Sequence, residues 1–120
     1  MCRRLISVIA IALLSCSCTR VEQEEPSPDG RYVARVVTVN GGAMSSGGTK
    51  VTLSASGSLP ALRHDVFFSA GIYEVSVHWK QNVLEVVCEY CPPRRIEVKE
   101  MTWRDVTIAY PRLGAKAVRD

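Results

Sequence analysis

Residues 73–79 read Tyr-Glu-Val-Ser-Val-His-Trp, apolar and polar in strict alternation. Successive side chains of an extended chain point to opposite faces, so Tyr73, Val75, Val77 and Trp79 share one face and Glu74, Ser76 and His78 the other. A helix would scatter the four apolar groups around its circumference. This stretch can bury its apolar face only within a sheet, and that constrains its neighbours. Lys80-Gln81-Asn82 turns the chain, and Leu84, Val86 and Cys88 give the returning strand a matching apolar face, with Val83 and Val87 partly covering its reverse.

The flanking sequence follows the same rule. Ser27-Pro28-Asp29-Gly30 has the residues of a type I turn. Residues 31–39 then predict a central strand, because Tyr32, Ala34 and Val36 occupy one face and Val33, Val37 and Val39 the other. Residues 40–48 are rich in glycine and serine and predict a long hairpin loop. Residues 49–55 alternate, with Val51, Leu53 and Ala55 inward and Lys50, Thr52 and Ser54 outward. A second loop, 56–65, precedes a short strand at 66–69. Pro92 and Pro93 stop the strand that ends at Cys88, since proline donates nothing to a ladder. Residues 95–101 and 103–110 predict two more strands, with Ile96 and Val98 inward on the first and Val106, Ile108 and Tyr110 inward on the second. The expected fold is all-β, an antiparallel sandwich or curved sheet of about seven short strands spanning 31–110. A polar tail, 111–120, is expected to fray or to form a short helical turn.

The first eighteen residues obey a different logic. Arg3 and Arg4 precede ten residues, Leu5 to Leu14, that are apolar except for Ser7. As a helix these would reach roughly 15 Å, about half of a hydrocarbon core, which suits the apolar region of a secretory signal better than a membrane span. Leu13-Leu14-Ser15-Cys16 follows. It resembles a bacterial lipobox, with an aliphatic residue three before the cysteine and a small one just before it. The resemblance to lipoprotein signal peptides implies cleavage of residues 1–15, a signal helix that is removed, and lipidation of Cys16 with a diacylglycerol on its thiol, palmitate being the acyl chain expected. Two or three acyl chains, at about 0.8 kcal/mol per buried methylene, give near-permanent membrane attachment. Ser17, rather than aspartate, follows the cysteine. In a host with two membranes this implies the periplasmic face of the outer one.

Without residues 1–15 the chain has 105 residues, and losing Arg3 and Arg4 lowers the net charge from +3 to +1. That length suits one domain, and that charge offers no footprint for nucleic acid. Residues 16–30 comprise the lipidated terminus and an acidic, proline-containing linker. Glu22, Glu24, Glu25, Pro26 and Pro28 make residues 19–28 read as an extended spacer between lipid and domain.

Several stretches, in order, resemble an uncharacterised family of small bacterial envelope proteins. They are Ser27-Pro28-Asp29-Gly30-Arg31-Tyr32, Asn40-Gly41-Gly42-Ala43, Val75-Ser76-Val77-His78-Trp79, Asn82-Val83-Leu84-Glu85-Val86 and the closing Trp103 to Tyr110. The resemblance implies a compact β fold, no assigned reaction and no catalytic residue to carry over.

Cys88-Glu89-Tyr90-Cys91 is the sharpest chemical feature. In an extended strand the two cysteines would stand about 10 Å apart, beyond disulfide reach, whereas a turn at Glu89-Tyr90 would close them. Export favours a persistent bond. Free thiols, a redox pair and a metal site are the alternatives. Reactive Cys-x-x-Cys pairs usually open a helix, and zinc wants four ligands, which His64 and His78 would supply only through tertiary placement. Cys18 is left over, either free or paired between chains.

Other motifs fall short. Gly42 to Thr49 has P-loop spacing without its lysine and precedes a strand. There is no Gly-x-Ser-x-Gly elbow. Glu74 and Glu85 would lie on one hairpin as solvent-facing charges, His64-Asp65 is a loop pair rather than a triad, and Trp79 and Trp103 are expected core anchors. The sequence therefore predicts a lipid-anchored envelope protein acting as a structural or interaction module, without catalytic residues, metal or cofactor. Its contact surfaces would be loops 40–48 and 56–65. The alternative is a periplasmic thiol-redox or metal-handling protein using Cys88 and Cys91.

Overall fold

The computed structural model describes residues 19–40 and 47–117. Within them lie nine strands: β1 Thr19–Pro26, β2 Tyr32–Val39, β3 Gly48–Ala55, β4 His64–Ala70, β5 Ser76–Lys80, β6 Val83–Val87, β7 Ile96–Lys99, β8 Thr102–Trp103 and β9 Val106–Ala109. They build two sheets, ordered β1-β2-β3-β4-β7 and β5-β6-β9-β8. The inner faces share one core. Ala34, Val36, Val51, Leu53, Val66 and Phe67 from the first sheet meet Val77, Leu84, Val86, Val106 and Ile108 from the second. Each fully buried Val, Leu or Phe side chain contributes about 1.5–3 kcal/mol, so this two-layer core holds the sheets together. The all-β, sandwich-like class is the one expected. All pairings are antiparallel except β6 with β9, which run parallel.

Two of the nine strands lie outside the sequence expectation. The acidic spacer is the first. Thr19–Pro26 is not a free tether but the edge strand β1, paired antiparallel with β2 from Thr19↔Val39 to Pro26↔Val33. An edge strand needs no apolar alternation, because one neighbour satisfies its ladder and charged side chains protect its open side. The second is the break in residues 103–110. Arg104 takes a positive φ of 55°, and Arg104-Asp105 folds Trp103 back onto Val106, separating β8 from β9.

Faces follow the predicted alternation with instructive exceptions. Val75 and Val77 are buried, Trp79 packs on the core, and Glu74, Ser76 and His78 are exposed. Thr52 and Ser54, expected to face solvent, are buried. The Arg35 guanidinium donates to Ser54 Oγ at 3.0 Å while its Nη2 lies 2.8 Å from Glu24 Oε2, so its stem shields that face. Val98, expected inward, pairs with the half-buried Phe68, because a bulge separates it from Ile96, which packs on the core. A Cβ on Gly48 would collide with the Phe68 ring, which explains a glycine inside β3.

The register defines two ends. At the upper end Thr19, Val39, Gly48 and Ala70 form a rung, and β7 enters there through Ile96↔Ser69. Ser76↔Val87 marks the same end of the second sheet. The turns at 27–31, 56–63, 81–82 and 104–105 gather at the lower end. The described part of the tail, 111–117, forms turns and is pinned to the fold. Gly114 N donates to Cys88 O at 2.9 Å and Lys116 N to Glu89 O at 2.7 Å.

Candidate functional site

Cys16, Cys18 and most of loop 40–48 lie outside the described residues. Cys88 and Cys91 lie within them, in disulfide geometry with Cα atoms 5.5 Å apart. The chain turns between them, as bonding requires, and both are 0% exposed. Leu113 packs on the core beside them and Gly114 closes over Cys88 O. Glu89 holds the cover in place, accepting from Arg112 Nη1 at 2.8 Å with Lys116 Nζ at 3.4 Å. Thiol exchange needs a sulfur open to attack, so this burial weighs against a redox role. Among the described residues no group of three or more His, Cys, Asp or Glu is arranged to hold a metal.

The remaining sequence candidates do not converge. His64 Nε2 lies 2.9 Å from Glu100 Oε1 on the surface, away from His78, whose register partner on β6 is Glu85. Asp65 pairs instead with Lys50 at 3.4 Å. Glu74 sits four residues before His78, so about 13 Å of chain separates it from the level of Glu85 and the carboxylates form no pair. Trp79 donates from Nε1 to Glu25 O at 2.9 Å, and Trp103 stacks edge-on against Tyr32 at 5.2 Å. Both act as anchors.

At the lower end a polar network ties the first turn to the β8–β9 hairpin. Asp105 accepts from the Tyr32 hydroxyl at 2.6 Å and from Arg31 Nη2 at 2.7 Å. Asp29 accepts from Arg31 Nε at 2.8 Å and from Ser27 Oγ at 2.7 Å. The Arg31 bond, then the Ser27 bond, holds Asp29 well below the usual carboxylate range. Asp105 is held low by Tyr32 first and Arg31 second, and Tyr32 is raised chiefly by its bond to Asp105. Carboxylates so matched stay ionised, with no proton to give or take near neutrality. The network is a lock between sheets rather than an acid–base pair.

Among the described residues a cleft and a loop stand out as open surfaces. A cleft of about 530 Å³ at the upper end lies between β1–β2 and residues 72–76, walled by Val36, Tyr73 and Val75 with Glu22 and Glu74 at its mouth. Glu22 already accepts from Thr38 Oγ1 at 3.0 Å and faces Arg20. At the lower end loop 56–63 presents Leu59 and Leu62, 68% and 66% exposed, across a short 3-10 turn at Pro60–Leu62. Within this loop Ser58 Oγ and Arg63 Nε are buried without a hydrogen-bond partner. Sequence reasoning marked the segment as a loop through its glycine and proline, and for contact because loops carry most binding; the outward aim of both leucines carries no sequence signal, because apolar residues usually turn inward.

The chain matches no family model, no curated protein and no solved structure.

Proposed function

We propose that the chain is a lipid-anchored protein of the cell envelope, on the periplasmic face of the outer membrane where the host has two membranes. Its sandwich would act there as a non-enzymatic structural or interaction module. The observation that carries this reading is Leu13-Leu14-Ser15-Cys16 at the end of an apolar run too short to span a bilayer. The folded part supplies support of two kinds. Its polar clusters are internally matched, as in the Asp29–Arg31–Asp105–Tyr32 lock. Among the described residues the most exposed large apolar side chains, Leu59 and Leu62, sit on one loop, and neighbouring exposed leucines suit a surface covered by a protein partner.

Two measurements test the proposal. Intact mass of the membrane-extracted protein is expected to start at Cys16 with two or three acyl chains attached, and Cys16→Ser is expected to release the protein from membranes. A Cys16→Ser variant that still partitions fully into membranes overturns the anchor. For the module, cross-linking at the envelope is expected to trap a protein through loop 56–63 and to lose it in Leu59→Asp/Leu62→Asp. Cross-links unaffected by that variant overturn the loop's role.

A further inference from the structure

We infer that the sandwich lies directly against an anionic lipid surface, upper end inward, with loop 56–63 held away from the membrane. The inference rests on the reading of Cys16 as the anchored residue and adds which end of the fold meets the lipid.

Chain length carries the first part. Residues 19–28 would serve as a spacer only if they were free, yet Thr19 is already paired with Val39. Ser17 and Cys18 alone separate the anchor from the fold. Three Cα steps span at most about 11 Å. The headgroup layer they must cross is itself about 5–8 Å thick. Thr19, and with it the upper rung, can clear the surface by only a few ångströms. From there β1 runs eight residues to Pro26, about 26 Å of strand, and this distance separates the lower end from the lipid.

Charge carries the second part. The described loops of the upper end, 71–75, 88–95 and 111–117, hold Arg94, Arg95, Arg112 and Lys116 against Glu74 and Glu89, net +2. The lower loops, 27–31, 56–63, 81–82 and 104–105, sum to +1, so the upper end carries the larger positive charge. All four cations are exposed. In the same loop as Arg94 and Arg95, Tyr90 is 54% exposed; Ile72, at the cleft of the same end, is 55% exposed. An exposed tyrosine in the loop that carries Arg94 and Arg95 suits the boundary between headgroups and acyl chains, where amphipathic rings and long cationic side chains settle. Anionic headgroups attract juxtamembrane lysine and arginine within a Debye length, and the short link keeps these within it.

Hydrogen exchange tests the inference on the acylated protein in vesicles of phosphatidylcholine with phosphatidylglycerol, compared with the free Cys16→Ser chain. Exchange is expected to slow several-fold in residues 71–75, 88–95 and 111–117 and to stay unchanged in 56–63. Arg94→Glu/Arg95→Glu is expected to abolish the slowing while acylation persists. Acylated protein whose upper loops exchange as fast as the free chain, or whose protection falls on 56–63, overturns the orientation and leaves the anchor standing. Protein without acyl chains by intact mass overturns the anchor and the orientation with it.

Discussion

Gln23 and Val77 exchange two hydrogen bonds across the open side of the sandwich. The Gln23 side-chain amide donates from Nε2 to Val77 O at 2.9 Å, and Val77 N donates to Gln23 Oε1 at 3.0 Å. One carboxamide thus takes the place of a neighbouring strand for β5, the edge of the second sheet, and links it to β1, the edge of the first. A bulge at Glu22, where the register jumps from Val21 to Gln23, sets the side chain on the inner side. On the other flank the chain itself closes the gap, passing from β7 to β8 through Glu100 and Met101, with Ile108 N bonded to Met101 O at 2.9 Å.

Gln23→Ala leaves both polar groups of Val77 without their partner. Partly buried groups orphaned in this way cost about 1–3 kcal/mol. Urea unfolding is expected to show a lowered midpoint, and the Val77 amide is expected to exchange faster. An unchanged midpoint would show that the clamp is dispensable.

Replacing Cys88 and Cys91 together by alanine is expected to cost about 1–3 kcal/mol, modest because the closed loop is short. The loss should extend to residues 111–117, which hang from Cys88 O and Glu89 O. In the wild type, thiol reagents after mild reduction should label neither residue until the protein unfolds. Rapid labelling in the native state would contradict their burial.

The Asp105 carboxylate is held below its ordinary value by the Tyr32 hydroxyl first and Arg31 second. A depressed carboxylate contributes stability that is present above its unfolded value, about pH 4, and is lost as pH falls through its folded value. Asp105→Asn should therefore flatten the acid limb of the stability profile. Wild-type and variant limbs of equal slope would exclude the lock as a source of acid sensitivity.

Tyr110 behaves in the opposite sense. Burial, then the Glu100 charge, raises its phenol above the ordinary value, and its hydroxyl donates to Glu100 O at 2.7 Å. Its contribution is complete below about pH 10 and is lost as pH rises through the raised value. Tyr110→Phe should remove part of the alkaline loss, read from thermal midpoints across that range. Identical alkaline profiles would refute the assignment.

Leu59→Asp/Leu62→Asp should leave the free energy of unfolding within about 0.5 kcal/mol of the wild type, as substitutions at exposed sites usually do. A larger loss would mean that these leucines support the fold rather than present a surface.

Much of the core could be read from the chain because a strand writes its two faces into alternate positions. Val51 and Leu53, Val77 and Trp79, Leu84 and Val86, Val106 and Ile108 all point as their spacing requires. Reading failed where alternation says nothing. β1 has seven polar or proline residues among eight, because an edge strand facing water has no apolar side to announce it. Arg104 turns the chain without glycine or asparagine, and Val98 is displaced by a bulge that no residue type marks.

The sequence alone determined the β class and the position of most strands, since periodicity two and turn chemistry act locally; it named Cys88 and Cys91 as a pair that only a turn could close. Tertiary structure decided the pairing of Thr19 with Val39, the parallel passage of β6 beside β9, the clamp of Gln23 on Val77 and the outward aim of Leu59 and Leu62. These depend on which surfaces meet when two sheets close over one core. Each brings together residues whose free energy of contact exists only after distant strands have docked, so no local pattern along the chain encodes it.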